Sequence, residues 1–162
     1  INTQDQKNKV IEEAKAIFND DVINQLDEKL CVWNLGVVRE KVIDTASENK
    51  ENIIVFNHRT AGYKNYNKFV SYMEAYKKHR QDFKVWVPQY QPKDKKLPWF
   101  DTTKESSKQA YYEKLQKCKV GIQPLQTNYG WSVSATDCMM NGTPMLFHMK
   151  ILRMHQSVVE TF

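Results

Sequence analysis

Two cationic side chains follow a continuous apolar run in this sequence. The run occupies residues 52–57, and Arg59 and Lys64 come after it, five residues apart, with Gly62 between them. A loop of this composition can fold back and direct both cations at one point, as the binding of a diphosphate requires. The same spacing is also compatible with two solvated surface charges.

A second candidate site lies where a glycine turn leads into a predicted helix. The residues at the start of that helix are Gly130, Trp131, Ser132 and Val133. Their N–H groups and the positive end of the helix dipole would attract an anion, but an ordinary glycine turn with a Ser cap has the same composition. Asp137 follows on an otherwise apolar helix and needs hydrogen-bond donors. Sugar hydroxyls would supply them, and so would backbone N–H groups of a neighbouring loop.

Elements of alternating type would position these residues. The strands are expected at 52–57, 83–87, 119–125 and 144–147, and the helices at 64–80, from a capping box at 102–105 onward, at 131–141 and at 150–162. Strands that alternate with helices form right-handed crossovers. The prediction is therefore an α/β fold with a Rossmann-like parallel sheet and helices on both faces. Ligands of such sheets bind outside the carboxyl ends of the strands, where Arg59 and Lys64 are expected.

The beginning of the chain has a different pattern. A helix is predicted from residue 4 to about residue 29, with a break at 19–21, where Asn and Asp favour a turn. A short strand at 30–33 follows, and residues 44–51 are polar and aperiodic, as in a linker. We interpret residues 1–45 as a helical segment and a short strand that precede the Rossmann-like domain of residues 46–162.

Composition and charge exclude some kinds of protein. A net charge of +5 and a pI near 9.0 favour anionic partners. No apolar run reaches the length of about 18 residues that a membrane span needs. The three cysteines and four histidines have no metal-ligand spacing, and there is no Asp-x-Asp motif, so we expect no metal site. Free thiols at Cys31, Cys118 and Cys138 favour a reducing, cytoplasmic compartment.

Together, these motifs resemble the C-terminal, nucleotide-sugar-binding half of a GT-B fold, in the large branch of retaining glycosyltransferases (glycosyl transferases group 1). Members of that family carry Arg-x4-Lys after the first strand, then a Gly-aromatic-Gly turn, and Glu-Ala-Met-Ala-x-Gly-x-Pro before the last strand. Here Arg59 and Lys64 have the first spacing, Gly130 begins the turn, and residues 137–144 match the third segment without a gap. The resemblance covers about residues 30–148.

The resemblance implies an enzyme that transfers a sugar from a nucleoside diphosphate sugar to an unidentified acceptor, without a metal ion or cofactor. It implies that Arg59 and Lys64 hold the diphosphate, that N–H groups around 130–133 face the donor, and that Asp137 binds the ribose hydroxyls. It also implies that an N-terminal acceptor domain, missing here, precedes residue 1. Two departures stand out, because Tyr129 replaces an acid that contacts the donor sugar and Asp137 replaces a Glu.

Two alternatives remain open. The first is a basic nucleic-acid-binding module, in which residues 77–80 and 93–96 follow phosphates and Trp86, Trp99 and Tyr90 stack on bases. Residues 77–80 are equally well explained as cations that close a helix C-terminus. A glycosyltransferase acting on modified DNA or tRNA would combine both interpretations. The second alternative is a transferase-like domain without catalytic activity, which the replacement at Tyr129 favours.

Overall fold

The structure is a computed structural model and describes residues 3–33, 49–123 and 132–147. Its helices are α1 (Gln4–Lys15), α2 (Asp20–Lys29), α3 (Tyr66–His79), α4 (Lys108–Lys117) and α5 (Val133–Met140). Its strands are β1 (Glu51–Val55), β2 (Lys84–Trp86), β3 (Phe100–Asp101), β4 (Cys118–Ile122) and β5 (Met145–Leu146). The helix predicted at 150–162 lies outside the described residues.

All the described strands belong to one parallel sheet. The sheet has five strands in the order β3-β2-β1-β4-β5, and each neighbouring pair is parallel. The chain adds β2 and β3 on one side of β1 and then crosses back to add β4 and β5 on the other side. The Rossmann sheet has the same order in its first five strands, with the direction of winding reversing next to β1. The predicted α/β fold with a Rossmann-like parallel sheet is confirmed.

Alternate residues of β1 contact two separate hydrophobic cores, as the period of a strand requires. Ile54 packs against the core that contains Phe69 of α3. Val55 belongs to the opposite core, together with Leu115 of α4 and Cys138 of α5. Helices therefore cover both faces of the sheet, with α3 on one face and α4 and α5 on the other.

The segment between β2 and α4 differs from the prediction. A loop was expected up to residue 101, but Phe100 and Asp101 pair with Val85 and Trp86 as an edge strand. Two residues are too few to show a period in the sequence, so this strand had no signal of its own. Phe100 lies in the core beside α3, and this burial holds the short strand in place.

The predicted capping box at 102–105 is wrong, because α4 begins later. The Ser107 hydroxyl accepts the Ala110 N–H at 3.1 Å and caps the helix instead. Upstream, the Asp101 carboxylate accepts the Thr103 N–H at 2.8 Å and keeps the chain in a turn. Glu105 forms an ion pair with Lys114 at 2.8 Å, a long-range contact that the local motif could not reveal.

The first helix is broken where the sequence predicts it. The Asn19 side chain accepts the Val22 N–H at 3.1 Å and caps α2, after α1 has ended at Lys15. The strand predicted at 30–33 is not formed. Leu30 is the C-cap of α2, and residues 31–33 pair with none of the described strands. These apolar residues therefore have no sheet neighbour to make them a strand.

Gly121 in β4 leaves room for side chains of α5 and of the neighbouring strand β5. A Cβ atom at this position would lie 3.1 Å from Cys138 Sγ and would also meet the Met145 thioether. Gly121→Ala should lower the free energy of unfolding by about 1–3 kcal/mol, as for other overpacked cores. Urea denaturation measures this change. Gly62→Ala is the matched control, because no atom lies within 4 Å of its added Cβ. Equal stability of the two variants would contradict this account of the packing.

Candidate functional site

A cavity opens at the carboxyl ends of β1, β2 and β3. Its volume is about 530 Å³, which is in the range of small-molecule sites. The wall residues that bear on binding are Arg59, Gln89, Tyr90, Lys104, Lys108 and Tyr111. The cavity thus lies at the edge of the sheet where ligands of open α/β folds bind.

The loop after β1 carries Arg59 and Lys64 at the carboxyl end of that strand. The chain forms a 3₁₀ helix at Gly62–Lys64 and then Asn65 adopts a left-handed conformation, with φ of 50°. Asn tolerates this conformation better than most residues, so the loop can fold back before α3 begins. Burial lowers the pKa of the Lys64 ammonium, and the nearby Arg59 guanidinium lowers it further. The two cations therefore lie close enough to repel each other.

Arg59 is the more accessible of the two cations. Its side chain is exposed, lines the cavity, and forms no hydrogen bond or ion pair with the residues that the structure describes. Lys64 is half-buried, and its ammonium lies 5.2 Å from the centre of the Tyr63 ring. An anion that entered beside Arg59 would relieve the repulsion between the two positive charges.

The second candidate site is only partly described. Gly130 and Trp131 lie outside the described residues, as does Tyr129. Ser132 is buried and caps α5 by accepting the Ala135 N–H at 3.3 Å. Val133, the first residue of α5, is exposed. Its position at the start of the helix leaves its N–H without an intrahelical partner.

Asp137 receives its partners from α4. Its carboxylate lies 3.1 Å from Lys108 Nζ and 3.4 Å from each of the hydroxyl groups of Tyr111 and Tyr112. The Lys108 ammonium also lies 4.7 Å from the centres of both tyrosine rings. The donors are thus side chains, whereas the sequence suggested sugar hydroxyls or backbone N–H groups. Lys108 and Tyr111 separate this carboxylate from the cavity, because both belong to its wall.

Asn57 is a central residue that the sequence analysis did not select. It is fully buried at the end of β1, and its Nδ2 donates to the Ser134 carbonyl at 2.7 Å and to the Tyr111 hydroxyl at 2.9 Å. The backbone carbonyl of Asn57 accepts from Gln89 Nε2 at 2.8 Å. Its one signal in the sequence is an amide placed directly after a buried apolar run.

His58 is a buried, neutral histidine beside the two cations. It is 2% exposed, and none of the described residues is a hydrogen-bond partner of its Nε2. Burial lowers its pKa to about 3, and the charge of Lys64 contributes, while a hydrogen bond with the Ile122 backbone acts in the opposite direction. The imidazole therefore adds no charge to the site at neutral pH.

The two basic runs have partners within the protein. Lys77 Nζ donates to the Gln81 carbonyl at 2.8 Å, and Arg80 pairs with Asp82 at 2.7 Å. In the other run, Lys95 pairs with Glu74 at 3.3 Å. Trp86, a proposed stacking residue, is 1% exposed, so its ring cannot stack on a base. These contacts support the explanation of residues 77–80 as cations that close a helix.

The fold and the cavity define a Rossmann-like α/β domain with a cationic crevice. No protein-family model matches the chain, and no curated protein or solved structure matches it either. Among the residues in the described ranges, no group of three or more His, Cys, Asp and Glu side chains could hold a metal ion. No helix in those ranges is long and apolar enough to span a membrane.

The burial of His58 should make stability depend on pH. The unfolded chain takes up a proton near pH 6.5, whereas folded His58 does so only near pH 3, so stability falls as the pH decreases through this window. Between pH 7 and pH 4.5 the wild-type protein should lose about 2–3 kcal/mol more than His58→Gln. Urea denaturation at each pH measures the difference. His79→Gln, at an exposed histidine, is the matched control. Parallel pH profiles for wild type and His58→Gln would contradict the assignment.

Proposed function

We propose that this chain is the nucleotide-sugar-binding domain of a glycosyltransferase of the GT-B kind. The observation that carries the proposal is the loop after β1, which carries both Arg59 and Lys64 and places Arg59 in the wall of a cavity of about 530 Å³. A nucleoside diphosphate fits both features, because its diphosphate is anionic and its nucleoside has the size of a small-molecule ligand. The Rossmann-like sheet supports the same ligand class.

The chemistry of sugar transfer requires cations at this point. When the bond between the anomeric carbon and the diphosphate breaks, the electron pair stays with the leaving oxygen and negative charge accumulates there. Cations fixed in advance near that oxygen stabilise the transition state more than the bound substrate. In the proposal, Arg59 binds the diphosphate in a bidentate manner and Lys64 supplies a point charge. The repulsion between them favours an anion that carries two charges.

The start of α5 has a supporting role in the proposal. N–H groups near Ser132 and Val133 face the donor at the positive end of the helix, and Asp137 accepts hydrogen bonds from the ribose. In the structure, Lys108 and two tyrosine hydroxyls contact that carboxylate. The bound nucleoside therefore has to share or replace these donors. The proposal also includes an acceptor and a second domain that binds it.

Binding of nucleoside diphosphates tests the function. A thermal-shift and calorimetric screen of UDP, GDP, ADP and their sugars should find a ligand. At a concentration of 100 times its dissociation constant, that ligand should raise the free energy of unfolding by about 2.7 kcal/mol. Arg59→Ala should weaken that binding by about 1.5–3 kcal/mol, the range for hydrogen bonds to charged groups. Arg80→Ala is the matched control, because Arg80 pairs with Asp82 away from the cavity. Tight binding of nucleic acid with a steep salt dependence, and none of nucleoside diphosphates, would overturn the proposal.

The role of Asp137 has its own test. If its carboxylate binds the ribose, Asp137→Asn should weaken the best diphosphate from the screen by about 1.5–3 kcal/mol. A 2′,3′-dideoxy analogue of that nucleotide should bind wild type and variant equally poorly, because it lacks the hydroxyl groups concerned. Asp27→Asn changes an exposed carboxylate on α2 and controls for charge. A variant of lower stability that binds both nucleotides as wild type does would make Asp137 a purely structural residue.

A further inference from the structure

Two further cations lie on the far wall of the cavity. Lys104 and Lys108 follow β3, whereas Arg59 follows β1, and β2 lies between these strands. Neighbouring strands are about 4.8 Å apart, so the carboxyl ends of β1 and β3 are separated by about 10 Å. Lys104 and Lys108 therefore reach the cavity from a different chain segment than Arg59 does.

The charged residues that line the cavity are three cations, Arg59, Lys104 and Lys108, and one carboxylate, Glu105. Lys104 is exposed and forms no hydrogen bond or ion pair with any residue in the described ranges. Glu105 also lines the cavity, but it pairs with Lys114, which in turn holds Asp101 at 3.0 Å. Lys108 pairs with Asp137, which lies behind the wall. Lys104 thus contributes an uncompensated charge, and Lys108 shares its charge with one carboxylate.

The middle of the cavity is held in a fixed shape. The Tyr90 hydroxyl donates to the Asp94 carbonyl at 3.1 Å, and the Tyr111 hydroxyl accepts from Asn57 at 2.9 Å. Both residues line the cavity, and the side chain of Gln89 is fixed by its bond to the Asn57 carbonyl. This arrangement suits a ring system with an anionic group at each end.

We propose that Lys104 and Lys108 form a second phosphate position, so that the crevice takes two separate anionic groups with a ring between them. This inference rests on the proposed function, in which Arg59 and Lys64 bind the diphosphate. The second phosphate belongs either to the nucleoside itself or to a phosphorylated acceptor bound beside it. A cavity of about 530 Å³ lined by cations from two parts of the chain fits a small molecule better than a polynucleotide.

Calorimetry on the 162-residue chain tests the position. In the first arm, each nucleoside 3′,5′-bisphosphate is compared with the 5′-monophosphate of the same nucleoside. In the second arm, inorganic phosphate is titrated into protein saturated with the best nucleoside diphosphate. The second phosphate should tighten binding roughly tenfold to a hundredfold in the first arm if it belongs to the nucleotide. Binding of phosphate beside the diphosphate in the second arm would assign it to a separate acceptor.

The variants link either result to the far wall. Lys104→Ala should abolish the gain from the second phosphate and leave the affinity for the 5′-monophosphate unchanged. Lys108→Gln should reduce the same gain. Lys93→Ala is the matched control, because Lys93 is an exposed lysine of the preceding loop that is not part of the wall. Circular dichroism confirms that each variant is folded.

The outcomes separate this inference from the proposed function. If diphosphates bind through Arg59 but neither arm depends on Lys104, the second position is overturned and the function stands. If phosphate or bisphosphates bind through Lys104 while Arg59→Ala has no effect on any nucleotide, the second position stands and the function is overturned. Binding of a single-stranded oligonucleotide much more tightly than any bisphosphate, lost in Lys104→Ala, would overturn the small-molecule assignment.

Discussion

The side-chain amide of Asn57 joins three elements at the point where the winding of the sheet reverses. It extends from the end of β1 to the first turn of α5 through Ser134 and to α4 through Tyr111. A buried amide without partners would destabilise the fold by about 1–3 kcal/mol, so these bonds fix the spacing between the helices and the strand. The backbone carbonyl of the same residue also anchors Gln89 of the β2 loop. The cavity keeps its shape because Tyr111 of α4 and Gln89 of the β2 loop, which both line it, are bonded to this one residue at the end of β1.

A polar network extends from this amide to the charges of the crevice. The Tyr111 hydroxyl accepts from Asn57 and lies 3.4 Å from the Asp137 carboxylate, which pairs with Lys108. Asp137 therefore holds Lys108 against the two tyrosine rings at the edge of the cavity. An anion in the cavity and the carboxylate behind it compete for the same ammonium. Any ligand that draws Lys108 toward its phosphate would thus leave Asp137 more available to other hydrogen-bond donors.

The sequence predicts the fold well because each predicted strand is indicated by a short run of neighbouring apolar residues. Residues 52–57 and 83–87 form continuous apolar runs, and the structure has β1 and β2 within them or one residue away. Arg59 and Lys64 could be selected because one short loop carries both. Lys104 and Lys108 could not be selected from the sequence, because only the order of strands in the sheet brings them to the cavity that Arg59 lines. The start of α4 was misplaced for a similar reason, because a local motif cannot indicate that Lys114 binds Glu105.

In the proposed function, electrostatics favour an anionic ligand in the crevice at the expense of stability. Three cations of the basic runs, Lys77, Arg80 and Lys95, pair with carboxylates or carbonyls, so they add little to the field around a ligand. Burial lowers the pKa of Lys64, and its repulsion by the Arg59 charge lowers it further. The arrangement persists because the two hydrophobic cores fix the loops that carry the charges. An anion of matching geometry gains affinity from the relief of this repulsion, whereas a neutral ligand of the same size does not.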